Sequence, residues 1–532
     1  MSTRQRVAVV TGGGGGIGAA IAESIGKTGT FVVTVDPLVS IDGSERLPQT
    51  EETTAGRIVA AGGAARASGV SVTDGASVRA LFGELADEFG GLDAVVNVAG
   101  ISRPTGFATG SDDDWLGVLL VHLDGYRNVL SAALPLMAAA GRGHLLGVTS
   151  GSGWRAADAG AYGCAKRAVA SLTWQLGRHA PAGVVINAIS PIAATRMVTA
   201  ALGRTKPTTS TATGGLSLGA MPAPEHLGPL GAHLVDDAFA SCHGRVLFAG
   251  GSEVAVIDEP RLIEVVRYDD VPSQAQVVEA ATTIALAQAE ADQVSGGGSN
   301  ARFGATFDDS SAADLTPAAV RSCAVVCDRP DLANAVTEAL RSRGVMCHAV
   351  GSPLDLADIG PVGAVVIAVA GADAASDATS DWERILAEHD GLVGQIHADA
   401  RWTRAVAEIA AADDRPIRLI TVTDAATTGG RSRAQASAQL SRAGRTATGD
   451  LVVPFAVSAE SDRDEFDGGP AELIAHLVCS PAAVALAGAE LVVGPGWFGL
   501  RSHPRPVGSI SFGGPAVPSW FDDALREIVQ PR

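Results

Sequence analysis

The chain has 532 residues, 46% hydrophobic, 18% charged and 4% aromatic, with 64 glycines and a formal net charge of -19. That length gives room for two or three domains with complete apolar cores, and the composition excludes a disordered or fibrous chain. The acidic balance argues against nucleic-acid partners, and no apolar run approaches the roughly 18 residues of a membrane span.

The sequence opens MSTRQRVAVVTGG and enters a strand-like run at once, without an apolar leader, so a cytoplasmic location is expected. VAVV (7–10) leads into a helix from about Gly16 to Thr28, then FVVTV (31–35) and a helix ending near Gly62. LDAVVNVAG (92–100), a long helix around 115–140, HLLGVTS (144–150), a helix after Ala161 and VVINAIS (184–190) follow. Alternation at this spacing predicts an α/β fold, a parallel sheet covered by helices on both faces, with ligands at the carboxyl ends of its strands. Residues 203–224, rich in Thr, Gly and Pro, read as a loop over a site, and 295–304 as a Gly/Ser linker after a helical run at 273–294.

Beyond the linker the first half recurs in weakened form. AVVCDRPDLANAVTEALRSRGVMCHAVG (324–351) parallels residues 8–36, GAVVIAVAG (363–371) answers 93–100, and LITVTD (419–424) answers LLGVTS (145–150). The step from Trp115 to His122 recurs from Trp382 to His389, and AHLV occurs at 232–235 and at 475–478. Two tandem doubly wound Rossmann-like domains are therefore expected. The division is a catalytic domain at 1–262, a helical segment and linker at 263–318, a degenerate copy at 319–500 and a tail at 501–532.

Three motifs carry chemistry. Thr11-Gly12-Gly13-Gly14-Gly15-Gly16-Ile17-Gly18 joins the first strand to a helix, where glycine backbone and free helix N–H groups suit a pyrophosphate, although a merely flexible run is the plain alternative. Asp36 closes the second strand, where a carboxylate accepts from ribose hydroxyls and repels a 2′-phosphate, favouring NAD over NADP. Tyr162 and Lys166 stand four apart on a helix, with Ser150 twelve residues earlier; a neighbouring ammonium would lower the phenol toward working pH. With three Tyr and three Lys in the chain, this spacing arises by chance about 2% of the time. Six cysteines, Cys164, Cys242, Cys323, Cys327, Cys347 and Cys479, lie in apolar or small-residue settings and read as reduced thiols.

With T-G-x3-G-I-G at 11–18, N-x-A-G at 97–100, Ser150, Y-x3-K at 162–166 and N-A-I-S-P at 187–191 in this order, residues 1–260 resemble the short-chain dehydrogenase/reductase family. The resemblance implies that Gly12, Gly14, Gly16, Ile17 and Gly18 hold the phosphates of NAD and Asp36 its ribose. Val72, Asn97, Ala99, Gly100, Pro191 and Thr195 would line the rest of the cofactor cleft. Ser150 would bond the substrate oxygen, Tyr162 exchange its proton, and Lys166 bind the nicotinamide ribose. His122 stands where the family's relay has Asn, and either relays protons or is an ordinary buried histidine. The insertion at 37–52, V-H-L-D-G at 121–125 and S-P-I-A-A-T-R-M at 190–197 resemble the hydroxyacyl-CoA dehydrogenase subgroup of peroxisomal multifunctional enzymes. A secondary alcohol or ketone is the expected substrate, a 3-hydroxyacyl-CoA or a hydroxysteroid, with Arg103, Arg155 and Arg196 at the pocket mouth; a sugar or secondary metabolite, or an NAD-sensing scaffold, is the alternative.

In the second copy Cys327-Asp328-Arg329-Pro330 replaces the glycine loop, Gly351 replaces Asp36, Asp424 faces Ser150, and Gln435 and Gln439 fall at the Tyr162 and Lys166 positions. An amide has no proton to exchange near neutral pH. The copy is expected to be catalytically silent and to act as an internal pseudo-subunit, and the chain is expected to form a homo-oligomer. No metal site is expected.

Overall fold

The computed structural model describes residues 4–48, 52–156, 158–198, 221–268, 274–293, 319–370, 377–460 and 469–530. The expected linker at 295–304 and residues 203–220 of the expected loop lie outside them.

The first unit alternates β1 (Val7–Thr11), α1 (Gly16–Gly26), β2 (Phe31–Val35), α2 (Thr54–Ala60), β3 (Ala65–Ser68) and α3 (Gly75–Phe89). It continues with β4 (Ala94–Asn97), α4 (Asp112–Leu119), α5 (Gly125–Ala140), β5 (Gly143–Val148), α6 (Gly160–His179) and β6 (Val184–Pro191). Then come α7 (Gly228–His233), β7 (Val246–Gly250) and β8 (Glu253–Asp258). The long helix expected around 115–140 is interrupted: Leu120–Asp124 form a π turn, and His122 sits in it. Strands β1 and β4 are buried along their whole length, which is why they read as unbroken apolar runs: helices cover both faces of a parallel sheet. The order β3-β2-β1-β4-β5-β6-β7 turns about β1, placing a crevice at the carboxyl ends of β1 and β4.

Between the units lie β9 (Leu262–Arg267), α8 (Gln274–Ala281) and α9 (Ala287–Ala291). The second unit runs β10 (Ser322–Cys327), α10 (Pro330–Arg341), β11 (Met346–Ala349), β12 (Ala364–Ala368), α11 (Asp381–Glu388) and α12 (Leu392–Ala412). It goes on through β13 (Ile417–Asp424), α13 (Thr428–Ala447), β14 (Val452–Ala459), α14 (Gly469–Cys479), β15 (Glu490–Gly494) and β16 (Trp497–Arg501). Its order, β11-β10-β12-β13-β14-β15-β16, repeats the first sheet without a counterpart of β3 among the described residues. The repeated segments fall on matching elements: β10 on β1, β12 on β4, β13 on β5 and α13 on α6. The fold is two tandem Rossmann-like units, the second a degenerate copy.

The sheets trade their last strands. β9 follows β8 in the chain yet pairs antiparallel with β16 in the second sheet. β17 (Arg505–Ser511) follows β16 yet pairs antiparallel with β8 in the first. α15 (Phe521–Val529) then sets Phe521 and Leu525, both fully buried, into the first unit's core beside Leu230 and Phe239. Residues 505–529 of the expected tail thus pack with the first unit, and residues 263–267 of the expected helical connector belong to a strand of the second. The pairing joins residues more than two hundred positions apart, which local alternation does not encode. Where the crossing segments meet, Arg261 N donates to Ser502 Oγ at 3.1 Å and Ser502 N to the Arg261 carbonyl at 2.8 Å.

The units share one apolar core, in which Leu123 and Val169 of the first meet Ile385, Ile396 and Leu440 of the second. α6 lies against α13. At their centre Arg167, 0% exposed, pairs with Glu490 at 2.9 Å and donates to Gln435 at 2.9 Å, while Gln435 donates to Glu490. Gln175 donates to Ser432 Oγ at 3.0 Å, and Ser432 also bonds Ser171 and His389. At the rim Arg404 pairs with Asp112 at 2.6 Å and lies over the Trp115 ring.

Candidate active site

The turn after β1 is shaped by positions that admit no side chain. Gly12 and Gly16 have φ of +66° and +55°, in the left-handed region that favours glycine. A Cβ on Gly12 would stand 2.8 Å from Ala99 N, and one on Gly14 2.6 Å from an Asp36 oxygen; one on Gly18 would strike the Gly12 carbonyl. α1 opens at Gly15 with no side-chain cap, so its first N–H groups face the crevice as a positive dipole end. Ile17 packs against the neighbouring apolar core. Asp36 accepts from Gly14 N at 3.0 Å and from Leu38 N at 2.9 Å.

Around this cradle Thr11 donates to Asn97 at 2.7 Å, tying the ends of β1 and β4. Thr195 stands 3.7 Å from the space above Gly16, and an Arg196 guanidinium nitrogen 3.4 Å from that above Gly15. Pro191 ends β6. Val72 is buried against Gly125, and Gly100 faces the His122 ring so closely that a Cβ there would strike it. A surface of backbone N–H groups, one ribose-height carboxylate and a flanking guanidinium fits a dinucleotide.

Ser150, two residues past the end of β5, caps the short turn Gly151–Gly153, accepting from Ser152 N at 3.3 Å. Tyr162 and Lys166 occupy the first two turns of α6, with Lys166 Nζ 5.7 Å from the Tyr162 ring centroid. Lys166 is buried and donates to the Val148 carbonyl at 2.6 Å. Burial lowers its ammonium to about 7. Burial raises the Tyr162 phenol, against a hydrogen bond with Ser150 and the positive charge of Arg155. The groups that oppose burial at Tyr162 are therefore Ser150 and Arg155, where the sequence pointed to Lys166.

His122 meets the Tyr162 ring edge to face at 5.0 Å. Its Nε2 bonds the Ile101 carbonyl at 2.8 Å, and its Nδ1 has no hydrogen-bond partner among the described residues. Burial and the nearby Lys166 charge push it down to about 3, so it is neutral. Arg103, expected at the pocket mouth, holds the insertion instead: it donates to the Asp42 carbonyl at 2.7 Å and to the Asp113 carbonyl at 3.2 Å. All six cysteines are free thiols, with Cys164, Cys242 and Cys323 buried and the other three half-buried.

In the second unit, Asp328 at the end of β10 accepts from Ala370 N at 2.9 Å, and Arg433 reaches the Val369 carbonyl while pairing with buried Asp399 at 2.7 Å. Side chains thus fill the corresponding crevice. Gln439, which aligns with Lys166, reaches into the first unit, a contact that no spacing within α13 signals.

The family model for short chain dehydrogenases matches residues 6–205. The chain is 36% identical over 198 residues to the short-chain reductase protein NovJ of Streptomyces niveus, covering 37% of this chain and 72% of that one. The chain belongs to the short-chain dehydrogenase family. It is 32% identical over 273 residues to the hydroxyacyl-CoA dehydrogenase ChsB1 of Mycobacterium tuberculosis, covering 48% of this chain and 81% of that one. It is 31% identical over 252 residues to the peroxisomal hydratase-dehydrogenase-epimerase of Neurospora crassa, covering 47% of this chain and 26% of that much longer relative. The chain is an oxidoreductase of this family. Among the described residues no helix is long and apolar enough to cross a membrane, and no group of three metal-ligating side chains occurs.

Proposed function

We propose that the chain is an NAD-dependent oxidoreductase that interconverts a secondary alcohol and a ketone, with a 3-hydroxyacyl thioester as the substrate class. The observation that carries this reading is the meeting of Tyr162, Ser150 and Lys166 at the carboxyl end of β5, beside the glycine cradle. When bound, the nicotinamide supplies or receives the hydride. Ser150 holds the substrate oxygen, and Tyr162 gives or takes its proton. Lys166, whose ammonium has donors beyond the one given to the Val148 carbonyl, binds the ribose hydroxyls. Asp36 favours NAD because a 2′-phosphate would meet its carboxylate. The thioester class is supported by the likeness to the hydroxyacyl-CoA dehydrogenase and by the insertion that Arg103 pins over one side of the crevice. The second unit takes the place of a partner subunit, offering α13 to α6.

The test is turnover of the full chain with NAD and with NADP, against 3-hydroxyacyl-CoA and hydroxysteroid panels, beside Tyr162→Phe. NAD reduction with a hydroxyacyl-CoA is expected, falling by roughly 10² to 10⁴ in the variant. Equal activity in Tyr162→Phe would sink the mechanism, and a preference for NADP would sink the role of Asp36.

A further inference from the structure

The second unit touches the segment that follows Ser150 through one buried amide. Gln439 on α13, 0% exposed, donates from Nε2 to two main-chain carbonyls of the first unit, Ser152 at 3.1 Å and Arg155 at 2.8 Å. Both lie at the trailing end of the turn Gly151–Gly153, where a short helix leaves its last carbonyls without partners of its own. The turn is otherwise tied by Gly153 N to the Ser150 carbonyl at 2.9 Å and by Arg155 N to the Gly151 carbonyl at 3.1 Å. Gly163, next to Tyr162, makes room for this approach: a Cβ there would stand 2.8 Å from the Ser152 carbonyl and 3.4 Å from Gln439 Cγ. Arg155, at one end of the bridged stretch, and Ser150, two residues before the other end, act on the Tyr162 phenol, Ser150 through a hydrogen bond and Arg155 through its charge.

We propose that Gln439 is a positioning residue for the active site: by bridging the Ser152 and Arg155 carbonyls it sets Ser150 and Arg155 against Tyr162, so that the silent unit completes the site of the other. The inference rests on the oxidoreductase reading of Tyr162. It gives the residue aligned with Lys166 a task across the interface, performed by an amide because two carbonyls need two N–H donors and no charge.

The experiment uses the full chain and two variants. Gln439→Met keeps the length of the side chain and removes both donors. In NAD-linked turnover of a 3-hydroxyacyl-CoA, kcat is expected to fall about tenfold with the KM for NAD unchanged, since displacement of a catalytic group acts on the chemical step. Deuterium exchange of residues 150–156 should accelerate while that of α13 holds. Gln439→Glu carries a single donor, and only when protonated, and burial raises such a carboxyl, so its activity relative to the parent should climb part of the way back as pH falls. Undiminished kcat in Gln439→Met, or a flat ratio in Gln439→Glu, would overturn the proposal. If the parent turns over no substrate, the oxidoreductase reading fails instead, and unchanged exchange at 150–156 in Gln439→Met then overturns the positioning role by itself. Should Gln439→Met not fold, the pH ratio of Gln439→Glu decides.

Discussion

At Tyr162 burial and its opponents act on a single proton. Burial holds the phenol protonated, while the Ser150 hydrogen bond and the Arg155 charge favour phenolate. Ser150→Ala removes one of the two opposing influences, so the limb on which alcohol oxidation rises with pH should move to higher pH, beyond any drop in kcat. A limb that stays in place in the pH–rate profile would contradict this. His122 makes the opposite prediction. Because it is neutral down to about 3, no inflection between pH 5 and 8 belongs to it, and His122→Asn should change the rate without changing the profile's shape. The glycine turn, Asp36 and Tyr162 with Lys166 were legible in the sequence because each relation is local, a turn or one face of one helix. The place of His122 was not, since a π turn is a change of helical register fixed by packing. Arg155 was expected only at the pocket mouth; its charge on Tyr162 acts through space, which no spacing announces.

Among elements, α6 sets the terms. Residues 163–177 are buried almost throughout, although Arg167, Ser171, Thr173 and Gln175 are polar. Arg167, Ser171 and Gln175 find partners on α13 and β15, while Thr173 bonds Tyr126 and the Val169 carbonyl of its own unit, so much of what composition alone would turn toward water is met by the copy. Breaking the central pair should therefore be costly. Arg167→Met leaves buried Glu490 with Arg501, 3.7 Å away, as its remaining cation, and a loss of about 3 kcal/mol, the low end for a broken buried pair, is expected in denaturant unfolding. Adding Glu490→Leu should recover part of that loss, because the under-compensated carboxylate goes with it. A single variant as stable as the parent would mean that the pair contributes nothing across the interface. The order of repeated segments predicted which elements match. It did not predict that the matched helices face one another, because the repeat records descent of each unit and not how two units pack.

For the whole molecule the decisive feature is the exchange of β9 and β17. Removing residues 503–532 strips β17 from β8 and withdraws Phe521 and Leu525, each worth roughly 1.5–3 kcal/mol of burial, from the first unit. Such a truncation should aggregate or melt well below the parent in size-exclusion and thermal unfolding, although every residue of the candidate site is retained. A monomeric truncation melting with the parent would contradict it. Alternation in RPVGSIS and LIEVVR marks strands of ordinary pattern, and neither names its partner, which is why the tail and the connector were misjudged from sequence.

The same exchange fixes an order of events during synthesis. The glycine turn and Tyr162 leave the ribosome early, but the strand that closes their sheet is encoded at residues 505–511. The nascent chain must hold an unfinished sheet edge through the making of the entire second unit. Maturation of the site is thus tied to synthesis of residues 505–511, and a chain released before them would carry every motif of an oxidoreductase without its closing strand.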